Sequence, residues 1–175
     1  IHLDKKIPSG AGLGGGSSDC AGTLSAMNQA FANPVSFERL SLMAMSLGAD
    51  VPFFLHRGCM LAEGIGEKLS PLPELSNVHI VVAKPLVSVS TAYVYNNLKL
   101  DKSTKHPDTK NAIAALNSGD IKLLAASCKN VLESVTQTKY PEISEYKNLM
   151  LDCGAALSLM SGSGSSVFGI FEEQT

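Results

Sequence analysis

Twelve residues near the start of the chain constrain it most: Pro8-Ser9-Gly10-Ala11-Gly12-Leu13-Gly14-Gly15-Gly16-Ser17-Ser18-Asp19. Five of the seven residues from Gly10 to Gly16 are glycine, so this backbone is free to take positive φ. Such a turn can aim successive N–H groups at one point and form an anion nest. Directly after it, Ala21, Leu24, Met27 and Phe31 recur at helical spacing, and Ser17, Ser18 and Asp19 suit a helix N-terminus. A nest that opens a helix also meets the positive end of the helix dipole, which makes a phosphate its natural ligand. A flexible linker fits less well, because a linker does not usually run straight into an amphipathic helix.

Three phosphate loops compete for the segment. A P-loop needs a lysine after its last glycine, and none follows here. Gly10-Ala11-Gly12-Leu13-Gly14-Gly15 matches the dinucleotide fingerprint literally, with Glu38 at a loose downstream distance. That reading would make the chain an NAD(P)-binding oxidoreductase. However, the preceding segment carries Lys5 and Lys6 and ends in Pro8, and Glu38 falls at a helix start. The third possibility is a loop closed by paired serines, whose hydroxyls can bind phosphate or a nucleotide-bound Mg²⁺.

The rest of the chain reads as interleaved strands and helices without a regular βαβ repeat, which favours α+β. Residues 1–7 read as a strand. A helix breaks at Asn33-Pro34, and another runs from a Ser36 cap to Gly48. Phe53–His56 and Cys59–Glu63 read as strand, with a return strand at Glu67–Leu72 after Gly64-Ile65-Gly66. Pro71, Pro73 and Ser76 suggest a boundary, giving domains 1–73 and 74–175. The second opens with a buried-looking strand, Val78–Ala83, followed by helices after Ser90, near Asn111–Asn117 and after Asp120. Ile121, Leu124, Cys128, Val131 and Val135 align on one face of that third helix, and Pro141 starts a further one ending at Gly154. Ala155–Met160, the loop Ser161–Ser166 and Val167–Phe171 read as strand, loop, strand.

Composition narrows the function classes. Formal net charge is −2, so no global basic field favours nucleic acid. No apolar run approaches the ~20 residues that a membrane-crossing helix needs. Cys20, Cys59, Cys128 and Cys153 form no C-x-x-C pair, which reads as four buried thiols in a reducing cytoplasm. The chain opens on Ile1 and stops just past an apolar strand, as a piece of a longer protein would.

The Pro-x-x-x-Gly-Leu-Gly-Gly-Gly-Ser-Ser core resembles the second motif of the GHMP kinases. Gly48-Ala49-Asp50-Val51-Pro52-Phe53-Phe54 and Ala62-Glu63-Gly64-Ile65-Gly66-Glu67 resemble the members that act on a diphosphocytidyl methylerythritol alcohol. Met160-Ser161-Gly162-Ser163-Gly164-Ser165-Ser166-Val167-Phe168 resembles the third motif. The resemblance implies a two-lobed α+β fold with the active site between the lobes. The first lobe would be like domain 2 of ribosomal protein S5, the second ferredoxin-like. It implies transfer of the ATP γ-phosphoryl, with Mg²⁺, to the 2-hydroxyl of the erythritol unit in isoprenoid synthesis. It also implies that a lysine-containing first motif, an aromatic–histidine pair and the last helix and strand of the second lobe have no counterpart here. Another alcohol within the same family, or a nucleotide-binding piece without catalysis, remain alternatives.

Asp50 is the expected catalytic carboxylate under this resemblance; by itself, an aspartate after Gly-Ala is as readily a turn residue. Pro8, Gly10, Gly12, Leu13, Gly14, Gly15, Gly16, Ser17 and Ser18 are expected to wrap the ATP phosphates, with Asp19 pointing away. Ser161–Ser166 is expected to buttress that loop. Thr91 and Tyr95 align with a segment near the cytosine pocket, where an aromatic can stack on the base. His56 reads as a strand-end or core histidine and Lys84 as a solvated strand-end lysine, while His2, His79 and His106 carry no pattern.

Overall fold

In the computed structural model, which describes residues 2–56 and 58–172, the glycine-rich segment runs into helix α1 (Gly15–Ala30). The helix begins two residues before the serines expected to start it, because the glycines themselves form its first turn. Gly14 is its N-cap at φ 63°, and no side chain caps it. Ala32 and Asn33 take positive φ just past its end, before Pro34, and the Asn28 amide exchanges hydrogen bonds with both backbone groups of Val35. Helix α2 (Phe37–Leu47) starts as expected, with the Ser36 hydroxyl accepting from Arg39 N–H, and ends at Gly48.

The next segment departs from the sequence reading. Val51–Leu55 is a short helix, α3, where a strand is expected at Phe53–His56. Pro52 lies in its first turn, where a missing N–H costs nothing and a fixed φ favours helix. Strands β1 (Cys59–Glu63) and β2 (Lys68–Leu72) then form the expected antiparallel hairpin, with Ile65 N–H donating to Glu67 Oε2 across the turn.

The chain divides into two compact units. One is Gly14–Glu74, whose core is Ala21, Ala44 and Val51, with Cys20, Leu24, Phe54 and Leu55 packed around them. The other joins Leu75–Thr175 to the leading residues through Leu13. The leading residues group there because their backbone bonds to it: Val89 N–H donates to Gly10 O, and Ser166 N–H to Ala11 O. Residues 2–6 belong to no ladder, contrary to the strand expected there.

The second unit is built on a three-stranded antiparallel sheet in the order β3 (Val78–Ala83), β5 (Val167–Glu172), β4 (Leu157–Met160). Its helices are α4 (Thr91–Asn97), α5 (Thr109–Ser118), α6 (Ile121–Ser127), α7 (Glu133–Lys139) and α8 (Glu142–Asp152). Strand alternation sends Met160 and Val167 into one core with Val94, Ile143 and Met150. Leu157 and Ile170 join a second core with Ala115 and Leu124. Gly169 lets α8 approach the sheet, since a Cβ there would lie 3.0 Å from Met150 Sδ. Strand β3 is not buried as its sequence suggests: it is an edge strand, and Ile80 is 58% exposed and Val82 50%. The helix expected to carry Ile121 through Val135 is broken at Cys128, because Asn130 is drawn to a neighbouring loop. Both sheets are antiparallel and none of the described strands forms a βαβ unit, so the α+β class holds.

Candidate functional site

Gly10, Gly12 and Gly14 all lie in the left-handed region, at φ 61°, 72° and 63°. At Gly12 the requirement is absolute, because a Cβ would fall 2.0 Å from Ser161 O and 3.0 Å from Gly164 N. Three successive carbonyls are engaged: Gly10 O by Val89 N–H, Ala11 O by Ser166 N–H at 3.0 Å, and Gly12 O by the Ser161 hydroxyl at 2.8 Å. Tying down the oxygens of a glycine loop keeps their lone pairs from an incoming anion.

The loop Ser161–Ser166 that holds it is itself braced. Gly164 N–H donates to Ser161 O, and Ser161 N–H to Ser166 O. The Asn130 amide donates to Met160 O and Gly162 O while its oxygen accepts from Leu132 N–H. Ser165 Oγ donates to Val87 O, and Thr136 Oγ1 reaches Ser163 O. Ser166 Oγ is buried with no hydrogen-bond partner among the described residues, a polar atom left over for a ligand or water. Nothing in the sequence singled out Asn130, whose partners lie 30 and 32 residues away.

In the unit Gly14–Glu74, the uncapped start of α1 carries no acidic residue in its first turn. Phe54 of α3 lies under it: a Cβ on Gly14 would meet the Phe54 ring at 2.4 Å. Ser18 Oγ donates to Gly15 O at 3.0 Å. Ser17 sits in the first turn beside it, and Gly16 has open space where a Cβ would point. Asp50 occupies the N-cap position of α3, is exposed, and makes no capping hydrogen bond. Its carboxylate is therefore not the local turn device that a structural aspartate would be. The hairpin turn stands behind it: Gly66, at φ 115°, would place a Cβ 3.0 Å from Ala49 O.

Thr91 and Tyr95 lie one turn apart on α4, so they share a face. The Thr91 hydroxyl meets the Ser163 hydroxyl at 2.9 Å, and Tyr95 is 60% exposed. Tyr93 is already occupied by Lys139 Nζ, 3.7 Å from its ring centre. Pro8 and Leu13 flank the turn. Lys84 is not the solvated lysine expected, since it donates to Pro85 O and Val87 O and stitches its own loop. His56 ends α3, not a strand, and sets its ring edge-on to Phe37. Of the four free thiols, Cys153 is exposed, against the expectation that all are buried, and burial pushes the Cys128 thiol above its ordinary value. Among the described residues no cluster of three or more histidine, cysteine or acidic side chains could hold a metal, and no helix is long and apolar enough to cross a membrane.

The literal dinucleotide fingerprint fails here, because the described residues 2–9 just before Gly10 form no strand and both sheets of the described residues are antiparallel. The sequence profile of the GHMP kinases N terminal domain matches residues 1–58, and that of the GHMP kinases C terminal matches 112–175. The chain belongs to the GHMP kinase family. It is similar to 4-diphosphocytidyl-2-C-methyl-D-erythritol kinase of Lachnoclostridium phytofermentans, at 48% identity over 99% of this chain and 60% of that protein. The enzyme of the same name from Acetivibrio thermocellus matches at 48% over 99% of this chain and 62% of its own length. A crystal structure of 4-(cytidine 5'-diphospho)-2C-methyl-D-erythritol kinase superposes with TM-score 0.80 at 38% identity, covering 98% of this chain and 61% of that one. Homoserine kinase from Cytophaga hutchinsonii superposes at 0.85 with 26% identity, over 97% of this chain and 59% of that one. The chain thus spans about 60% of the length of the curated relatives it matches.

Proposed function

We propose that this chain is part of a cytoplasmic kinase that phosphorylates the 2-hydroxyl of 4-diphosphocytidyl-2-C-methyl-D-erythritol with ATP, in non-mevalonate isoprenoid synthesis. The observation that carries the reading is the glycine turn at Gly10–Gly12, with its three carbonyls tied down just before an uncapped helix start. The identity to kinases of that name supports this choice of substrate.

Phosphoryl transfer asks the protein for position and charge stabilisation more than for covalent chemistry. Residues Pro8 to Ser18 hold the triphosphate, chiefly by backbone N–H groups and the positive end of α1. Asp50 accepts the proton of the alcohol as its oxygen bonds to the γ-phosphorus and the bond to the bridging oxygen of ADP breaks. Thr91 and Tyr95 face the cytidine end, with the exposed Tyr95 ring free to stack on the base. The Ser18 oxygen, whose proton goes to Gly15 O and whose lone pairs stay open, would hold a nucleotide-bound Mg²⁺, which would supply charge neutralisation. Division of the chain into domains 1–73 and 74–175 is part of the same reading.

A second acceptor has one observation in its favour, the higher TM-score to a homoserine kinase, although identity there is lower. A coupled ADP-release assay on the complete protein decides, using diphosphocytidyl methylerythritol, homoserine and mevalonate in parallel. Turnover of the first alone is expected; turnover of homoserine or of none of the three overturns the assignment.

A further inference from the structure

Beside α7, away from the glycine turn in sequence, the unit carrying the three-stranded sheet has an open cavity of about 600 Å³. That is within the usual size of small-molecule sites. Four ammonium groups line it, those of Lys99, Lys105, Lys129 and Lys147, against two carboxylates, Asp101 and Glu133.

Both carboxylates are already committed. Asp101 accepts from Ser103 N–H at 2.8 Å and from the Ser103 hydroxyl at 2.6 Å. Glu133 takes Lys147 on one oxygen and Met160 N–H on the other, at 2.8 Å. No carboxylate among the described residues pairs with Lys99, Lys105 or Lys129. Gln137 also lines the cavity, and its Nε2 is buried with no hydrogen-bond partner. A buried donor without an acceptor is costly and marks a place where an acceptor is missing. The cavity therefore offers surplus positive charge and a spare amide donor, the complement of a compact polyanion.

We propose that this cavity binds a small phosphate-bearing metabolite, held by Lys99, Lys105, Lys129 and the Gln137 amide, at a site separate from the nucleotide loop. Its wall is joined to that loop's support: Glu133 holds Met160 N–H, Asn130 holds Met160 O and Gly162 O, and the loop begun at Ser161 holds Gly12. Occupancy is thus read at the strand that feeds the third motif. None of this depends on the identity of the kinase substrate.

Inorganic pyrophosphate is the probe, titrated into the complete protein by calorimetry and by amide NMR. Saturable binding is expected, with shifts at the Gln137 side-chain amide, Lys129 and Met160. The exposed-residue double variant Lys105→Ala/Lys129→Ala should weaken binding at least about tenfold, as loss of two charge-assisted contacts predicts. Lys110→Ala/Lys122→Ala, on α5 and α6, should leave it unchanged. Shifts confined to residues 10–18, equal weakening by both double variants, or no saturation overturns the proposal.

Discussion

The Ser161 hydroxyl donates a 2.8 Å hydrogen bond to the carbonyl of Gly12, joining residues 149 positions apart. In return Gly12 lies so close that Ser161 O occupies the place of its missing Cβ, at 2.0 Å. Two glycine–serine loops, each unremarkable as a flexible turn, thereby become one rigid unit. A backbone that binds anions must be held in advance, or ordering it consumes the binding energy.

Gly12→Ala is therefore expected to be far worse than its size suggests. The new methyl meets backbone rather than a movable side chain, at φ 72°. A loss of about 2–4 kcal/mol follows from strain plus overpacking. Gly22→Ala is the control. It lies inside α1 with nothing within 4 Å of its Cβ, so it should stabilise by about 0.5–1 kcal/mol. Denaturant unfolding of both variants checks the pair; equal effects would remove the close approach from the account.

Asn130→Ala removes two donors and one acceptor at once, leaving Met160 O, Gly162 O and Leu132 N–H without their partner. A cost of about 2–3 kcal/mol is expected from the lost bonds and the groups left unsatisfied. Amide exchange should speed up at residues 160–166 ahead of α5 and α6. Uniform exchange across the unit would make Asn130 an ordinary surface residue.

The thiols should separate by reactivity. Cys153 is exposed, while burial raises the Cys128 pKa and holds it as the unreactive thiol. At pH 8, Cys153 should label at least about ten times faster. Because the folded Cys128 pKa lies above its unfolded value, its contribution to stability is intact below the unfolded pKa. That contribution is lost as pH climbs through the folded one. Cys128→Ala should accordingly flatten part of the alkaline loss of stability seen on unfolding between pH 8 and 10.

Much of this was legible in the residues, for local reasons. Ser36, Ser90 and Asp120 cap helices because their oxygens reach N–H groups three residues ahead, a spacing written in the chain. The hairpin at Gly64–Gly66 is similarly local. What failed was decided at a distance. Phe53–His56 has strand composition, but Pro52 in a first turn and packing of Val51 and Phe54 with Ala21 and Ala44 make it helical. Val78–Ala83 looks like a buried strand, yet α8 packs on β4 and β5 and not on it, which leaves it half exposed. At the site, the glycine turn and Asp50 stood out by motif. Asn130 and Glu133 did not, since their partners are far along the chain.

The central claim is that Asp50 serves chemistry and not folding. Its carboxylate caps nothing and is exposed. The direct measurement is kcat for Asp50→Asn in the complete enzyme, taken together with its melting temperature. The account predicts a fall in kcat of about 10²–10⁴-fold, the scale of losing a general base, with the melting temperature unchanged. Full activity in the variant, or a loss that only tracks unfolding, would contradict it.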